Sequence, residues 1–217
     1  MCHALTPDLL LMSSCPMSAL LAPTLRQGLE HSGNVTCVID DELKLIYCNP
    51  AWDKFALSNY GESAVAARVV GTNLLDGVAE PMRVFYEQLF AAARNTRQIR
   101  LVDYECSSAS VYRLFRMEIR PLGAAAGFAL VHALRVERPH DPDRESLAPG
   151  AVRHLNPQGL ITMCAHCRKT MRVAEPAIWD WVPQYLDPTA PRRNISHGLC
   201  GPCFAYFYPA SYKGQRG

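Results

Sequence analysis

The 217-residue sequence lacks a basic segment at its start and any apolar run long enough to span a bilayer. No Lys or Arg precedes Arg26, and Pro7, Pro16 and Pro23 interrupt the apolar stretch before it. A secretory signal begins with positive charge, and a transmembrane helix needs about 20 consecutive apolar residues. These absences favour a cytoplasmic protein without a membrane span, in which residues 1–32 form a tail or a docking helix.

The sequence also lacks a strong net charge and the motifs of common catalytic units. Its formal net charge is +2, which provides no broad basic surface for nucleic acid. It contains no G-x-x-x-x-G-K-S/T phosphate loop, no H-E-x-x-H motif, and no kinase histidine box followed by an ATP-binding unit. We therefore predict that the protein is not an enzyme. Its output would pass through a signalling partner or through a homodimer, and nucleic acid is a disfavoured partner.

Cysteine, in contrast, occurs nine times, and four cysteines form two equal pairs. A segment of 32 residues separates Cys164-x-x-Cys167 from Cys200-x-x-Cys203. Each C-x-x-C turn directs two thiolates to one point, so two such turns can complete a tetrahedral, structural zinc site. A redox dithiol or a disulfide is the main alternative, because the C-x-x-C motif also lowers thiol pKa values. Five single cysteines are expected to be small buried apolar residues or to lie in a mobile terminus. They are Cys2, Cys15, Cys37, Cys48 and Cys106.

Two histidines lie close to these pairs in the sequence. We expect His197 to support the site, by donating to a thiolate or by capping its turn, and it is also an alternative metal ligand. His166 is expected to be exposed. The aromatic segment from Trp179 to Leu186 is predicted to form one helix that covers the metal. A unit this small needs metal binding for much of its stability.

The composition indicates a boundary inside the chain. Residues 137–158 contain four prolines and seven Asp, Glu or Arg residues, which is typical of a linker. A first unit at 33–136 precedes this linker, and a second unit at 159–217 contains both cysteine pairs.

The first unit has the pattern of an α+β fold. Two short apolar runs, Val35–Ile39 and Leu43–Cys48, flank an acidic turn and predict a hairpin. Asn49-Pro50 and Glu80-Pro81 mark the starts of two helices. The remaining predicted strands span 98–106, 111–121 and 127–136. This order favours an antiparallel sheet with helices on one face.

The same order resembles a PAS domain, most clearly in VIDDELKLIYCNPAW and in VVGTNLLD before the long helix. The resemblance implies a five-stranded antiparallel sheet whose helices enclose a pocket for a ligand, light, redox or partner signal. His132 is the polar residue expected in that pocket, together with Phe115, Leu130 and Asn73. A hydrogen-bonded core histidine is the alternative for His132.

The resemblance also bears on cofactors. In flavin-binding photosensors of this family a reactive cysteine follows the corresponding Asn, whereas Leu74 follows Asn73 here, so no flavin adduct is expected. Members that bind haem often use a histidine on the long helix. Residues 81–95 contain none, so haem is not expected either.

The C-terminal segment resembles a cysteine-rich tail of bacterial signalling proteins that carry PAS or receiver domains. The likeness lies in MCAHCRKT, WDWVPQYL and ISHGLCGPCFAYFYP, and it implies a small zinc-ribbon-like unit. Together the two resemblances predict a sensory or adaptor protein of signal transduction, with residues 17–32 as the dimerisation segment. One alternative is a thiol redox sensor that releases zinc on oxidation. Another is a zinc-ribbon regulator that binds nucleic acid.

Overall fold

The computed structural model describes residues 23–123, 127–141, 143–149, 151–190 and 193–209. Cys2, Cys15, most of the predicted N-terminal tail and residues 17–22 of the predicted dimerisation segment lie outside these ranges. Within them, no helix has the length and apolar character that a membrane span requires.

The first sheet contains five antiparallel strands in the order β2-β1-β5-β4-β3. Its strands are β1 (Val35–Ile39), β2 (Leu45–Cys48), β3 (Arg100–Glu105), β4 (Val111–Pro121) and β5 (Phe128–Pro139). Its helices are α1 (Pro23–Glu30), α2 (Pro50–Ser58), α3 (Ala66–Val69) and α4 (Glu80–Thr96). Two 3-10 turns, Glu62–Ala64 and Leu74–Gly77, complete this part of the chain. We refer to residues 23–139 as the five-stranded unit.

Asn49 explains why the hairpin passes directly into a helix. Its side-chain Oδ1 accepts hydrogen bonds from the backbone of Thr36 at 3.0 Å and of Trp52 at 3.1 Å, so it caps the first turn of α2. Its Nδ2 donates to the carbonyl of Leu29 at 3.1 Å, at the end of α1. This buried amide therefore joins α1, β1 and α2, and the predicted Asn49-Pro50 helix start is confirmed.

The main core lies between the sheet and α4. Met82, Phe90 and Ala93 of α4 contact the inward residues of β1, β3, β4 and β5. Alternation along the strands places every second side chain on this face. On the opposite face Leu29 of α1 packs near the β1–β2 edge, in a smaller cluster that includes Tyr47.

Gly127 allows β5 to begin close to β1. Its φ is +92°, and a Cβ atom there would lie 2.0 Å from the carbonyl oxygen of Ile39. Only glycine adopts this conformation without strain and leaves room for the neighbouring backbone.

The second sheet has four strands in the order β8-β7-β6-β9. Its strands are β6 (Leu160–Cys164), β7 (Thr170–Met171), β8 (Trp179–Asp180) and β9 (Asn194–Gly198). Two short helices, α5 (Ala151–His154) and α6 (Gly201–Phe207), and a 3-10 turn at Pro183–Leu186 accompany it. We refer to residues 151–209 as the cysteine unit.

The predicted helix from Trp179 to Leu186 is wrong. Trp179 and Asp180 form β8, which pairs with β7, and a short 3-10 turn begins at Pro183. Proline has no backbone N–H and fits a helix only in its first turn, so a continuous helix cannot pass through Pro183.

A buried ionic network joins the predicted linker to the cysteine unit. His154 is fully buried, and its Nε2 lies 2.8 Å from Oδ2 of Asp180. Arg172 binds the same carboxylate through Nε at 2.8 Å and Nη2 at 3.0 Å. The linker segment also donates a backbone hydrogen bond of 3.0 Å from Leu147 to Trp181. Leu147 and His154 therefore pack with the second sheet, and β5 extends to Pro139.

Replacing Asp180 should destabilise the cysteine unit strongly. The Arg172 guanidinium holds the pKa of the Asp180 carboxyl below its ordinary value. This stabilisation is therefore present at neutral pH and is lost as the pH falls through the lowered pKa. We expect Asp180→Asn to cost about 3 kcal/mol in denaturant unfolding at pH 7, because it leaves the Arg172 guanidinium without the buried charge that it binds.

Glu175→Gln is the matched control for this variant. Glu175 is 56% exposed and lies 3.5 Å from the same arginine, so its loss should cost about 0.5 kcal/mol or less. Equal losses for the two variants at pH 7 would contradict the role given to the buried carboxylate.

Candidate metal centre and ligand cavity

The two C-x-x-C turns have the local structure that the sequence predicts. Cys164 ends β6, and its carbonyl accepts a hydrogen bond of 3.1 Å from the backbone of Arg168, whose φ of +62° closes the turn. Cys200 stands at the N-cap of α6, and its carbonyl accepts from Phe204 at 2.8 Å. Parallel pairing of β6 with β9 places Cys164 opposite Gly198 and so brings the two turns together.

The four sulfur atoms form one cluster. All four Sγ atoms lie within 4.8 Å of one another, and those of Cys167 and Cys200 are 3.6 Å apart. A tetrahedral zinc ion with Zn–S bonds of about 2.3 Å would separate its sulfurs by about 3.8 Å. Cys164, Cys200 and Cys203 are buried and Cys167 is half-buried. The cluster could therefore hold a metal ion, with all four predicted cysteines as its donors.

The charges of this cluster favour a cation. The pKa of Cys164 lies far below its ordinary value because the thiols of the other three cysteines, that of Cys167 above all, stabilise its thiolate. The pKa of Cys203 is raised well above its ordinary value by the same neighbours, first by Cys164. Cys164 and Cys200, the latter with a pKa lowered to about 7, therefore form thiolates readily, whereas Cys167 and Cys203 meet existing negative charge. A divalent cation removes this repulsion.

The histidine beside the cluster is His166, and the expectation for His197 is not met. His166 Nδ1 lies 3.4 Å from Cys203 Sγ, and its Nε2 accepts the backbone N–H of Glu105 at 3.2 Å. Because Nε2 is the acceptor, the ring hydrogen is on Nδ1 and is donated to the sulfur. His197 lies on β9 with an exposed side chain that contacts no cysteine sulfur. The sequence could not distinguish the two, since the decisive partner, Glu105, is 61 residues away.

The cysteine unit docks onto the five-stranded unit through α6. Phe207 is 5% exposed and belongs to the main core, with its ring centroid 4.9 Å from that of Phe85 on α4. The hydroxyl of Tyr208 donates to the carbonyl of Pro81 at 2.7 Å and accepts the backbone N–H of Phe85 at 3.2 Å. These contacts were not predicted, because a short aromatic run at a metal site does not identify the surface that it covers.

A separate cavity of about 320 Å³ lies between the sheet and α2. Its walls are largely apolar and include Trp52, Phe55 and Ala64. The main polar group is a pair in which the Tyr104 hydroxyl and His132 Nδ1 are 2.9 Å apart. Burial lowers the pKa of His132 to about 4 and raises that of Tyr104, so both are neutral at physiological pH.

The four predicted pocket residues occupy different positions. His132 lines this cavity, whereas Phe115 stacks on Tyr104 at 5.7 Å and lines the adjoining depression. Leu130 is fully buried in the main core. Asn73 does not line the cavity: its side chain accepts from Leu75 at 2.9 Å and donates to the carbonyl of Glu42 at 2.9 Å. Its amide is therefore used to close a turn, which the resemblance alone did not show.

The strand order, with α2 and α4 on one face of the sheet, is the arrangement that the sequence resemblance implied. The five-stranded unit has a PAS-like fold. Its three single cysteines behave as buried or half-buried thiols; burial raises the pKa of Cys37, and it raises that of Cys48 to about 12.

Comparison with solved structures finds two PAS domains and a domain of an HTR-like protein, among others. The PAS domain of Bordetella pertussis BvgS is 22% identical, with a TM-score of 0.42, over 53% of this chain and 86% of that one. A domain of an HTR-like protein from Haloarcula marismortui is 13% identical, with a TM-score of 0.37, over 48% of this chain and 100% of that one. The PAS domain of nitrogen regulation protein NR(II) from Vibrio parahaemolyticus is 16% identical, with a TM-score of 0.30, over 49% of this chain and 92% of that one. No family model and no curated protein sequence matches the chain.

Proposed function

We propose that the protein is a non-enzymatic sensory or adaptor protein of cytoplasmic signal transduction, in which a PAS-like module senses a small ligand and is stabilised by a structural zinc ion. The observation that carries this proposal is the apolar cavity under the sheet, which contains one neutral polar pair. Concave, mostly apolar sites with few polar groups are typical of ligand binding.

Zinc is the proposed metal because the donors are four sulfur atoms. Soft thiolate donors in a closed tetrahedron suit zinc in a structural role. Four cysteine ligands leave no open coordination position for a substrate or a catalytic water, so the site supports a structural rather than a hydrolytic role. Cys164, Cys167, Cys200 and Cys203 would hold the ion, and His166 would orient Cys203.

The cavity suits a small neutral molecule that is mainly apolar. Tyr104 and His132 share one hydrogen bond, and whichever atom donates it, the pair keeps a second donor for a ligand. Trp52 is not available as a further donor, because its Nε1 already donates to the carbonyl of Ala64 at 2.7 Å. A charged ligand would lose its hydration without gaining a charged partner from these walls.

Metal analysis and native mass spectrometry of protein purified without added metal test this proposal together. We expect one zinc ion per chain and a retained small molecule. Ala64→Phe should fill the cavity and abolish retention of the molecule, and zinc content should remain unchanged, because Ala64 lies in the five-stranded unit away from the sulfurs. Ala67→Phe, on an exposed position of α3, is the control and should retain the molecule.

Two results would contradict the proposal. Absence of stoichiometric metal would remove the zinc role, and equal retention by the Ala64 and Ala67 variants would remove the cavity as the ligand site.

Output is proposed to pass through a signalling partner or a second copy of the chain.

A thiol redox sensor is the second candidate. One observation favours it: of the four clustered cysteines, Cys167 alone is not buried.

A further inference from the structure

Cys167 differs from the other three cysteines in its access to solvent. It lines a cleft of about 590 Å³ that separates the end of the five-stranded sheet from the cysteine unit. Arg138 and Arg144 stack on Tyr112 at 4.9 Å and on Trp181 at 3.6 Å, and these four residues form much of the cleft wall. Cys167 is half-buried and lines this cleft, whereas Cys164, Cys200 and Cys203 are buried, so Cys167 is the cysteine of the cluster most open to a small oxidant.

Cys167 also differs in its hydrogen bonds. The sulfur of Cys164 accepts the backbone N–H of Cys200 at 3.5 Å, and that of Cys203 accepts His166 Nδ1 at 3.4 Å. Within the described part of the chain, no N–H group donates to Cys167. Donated hydrogen bonds draw charge from a thiolate and reduce its nucleophilicity, so the Cys167 sulfur lacks a constraint that the sulfurs of Cys164 and Cys203 have.

One sulfur close to that of Cys167 belongs to the other turn. Cys200 Sγ is 3.6 Å from Cys167 Sγ, although 33 residues separate them in the chain. Cys200 also stands at the N-cap of α6, where the backbone is not yet helical and can adjust. The equal spacing of the two C-x-x-C pairs suggests a disulfide within each pair. The short distance between Cys167 and Cys200 shows that a disulfide between the two turns needs little backbone movement.

We propose that Cys167 is an oxidation site for hydrogen peroxide or a small organic hydroperoxide, and that Cys200 resolves it to a Cys167–Cys200 disulfide with release of the metal. The inference rests on the proposed metal site and specifies how that site would respond to oxidants.

The reaction proceeds in two balanced steps. The Cys167 thiolate attacks a peroxide oxygen, so that an S–O bond forms and the O–O bond breaks. The sulfur is oxidised to a sulfenic acid, and the leaving hydroxide or alkoxide takes a proton from water. The Cys200 thiolate then attacks the sulfenic sulfur, so that the S–S bond forms and hydroxide leaves and is protonated to water. Two thiolates and one peroxide thus give a disulfide, and two of the four sulfur donors no longer bind the ion.

The test uses the full, zinc-loaded wild-type chain with stoichiometric hydrogen peroxide. We expect a 1,3-dicarbonyl probe to trap sulfenic acid first at Cys167. Non-reducing peptide mass spectrometry should then show the Cys167–Cys200 disulfide, with Cys164 and Cys203 still open to alkylation. A metallochromic dye should detect one zinc ion released per disulfide. Cys106→Ser is the matched control, because Cys106 is also half-buried but lies outside the cluster, and it should leave all three readouts unchanged.

Other outcomes overturn the inference. One such outcome is a first disulfide within either C-x-x-C pair. The others are trapping of sulfenic acid at Cys106 instead of Cys167, and disulfide formation without zinc release. Stoichiometric zinc that survives excess peroxide would refute this inference and leave the structural zinc proposal intact. Protein that never contains zinc would refute the proposed function itself.

Discussion

Removing the metal should unfold the cysteine unit and loosen α4 of the five-stranded unit. The four sulfur donors come from two turns on either side of a segment with short strands, and apolar burial alone gives a unit of this size only marginal stability. The apparent free energy of structural zinc binding is about 10 kcal/mol or more in zinc-finger peptides, and it is folding free energy. We expect a strong chelator to abolish amide protection across β6–β9.

Hydrogen exchange with mass spectrometry measures this effect region by region. Amide protection of β1, β4 and β5 should largely remain, because the backbone hydrogen bonds that pair these strands do not involve the cysteine unit. Protection near Phe85 should fall, because Tyr208 accepts the backbone N–H of that residue. Cys164→Ser should reproduce the chelated pattern and Cys106→Ser should not. Unchanged protection of β6–β9 after complete metal removal would show that the unit folds without metal.

Truncating Phe207 should destabilise the zinc-loaded chain strongly. Its ring is 5% exposed, contacts Phe85 on α4 and belongs to the same apolar cluster as Met82 and Phe90. Phe→Ala substitutions at such positions cost about 3–5 kcal/mol, through lost burial and the cavity that remains. We expect Phe207→Ala to lower the unfolding free energy of the zinc-loaded chain by about 3 kcal/mol.

Tyr206→Ala is the matched control for this prediction. Tyr206 is the preceding residue on α6 and is 59% exposed, so its loss should cost well under about 1 kcal/mol. Zinc content should be equal in the two variants. If both variants unfold at the same denaturant concentration, the docking of α6 does not stabilise the five-stranded unit.

Local signals in the sequence predicted much of the fold. Asn49-Pro50 identified a helix start because the cap and the proline act within one turn. The C-x-x-C spacing identified each half of the cysteine cluster for the same reason, since each turn is closed by its own backbone. Alternation along β4 placed Phe115, Met117 and Ile119 on one face, and all three are buried.

The sequence-based predictions that were wrong concern contacts between residues that are distant in the chain. His166 donates to the sulfur site because its other nitrogen accepts from Glu105 on β3, and no local pattern encodes that pair. Asn73 has the residue type of a ligand contact, but its amide closes a turn with Glu42. The aromatic spacing after Trp179 favoured a helix, whereas strand pairing and Pro183 divided the segment into two short elements.

The placement of Phe207 only four residues after Cys203 has a consequence for biosynthesis. The strands and α4 of the five-stranded unit leave the ribosome well before residues 200–208 are made. During that interval the α4 surface around Phe85 is open to water, and it is covered only after α6 has been translated. The proposed metal site, which includes the N-cap of α6, can form only at this same late stage. A core contact of the part of the protein that is made first therefore forms last.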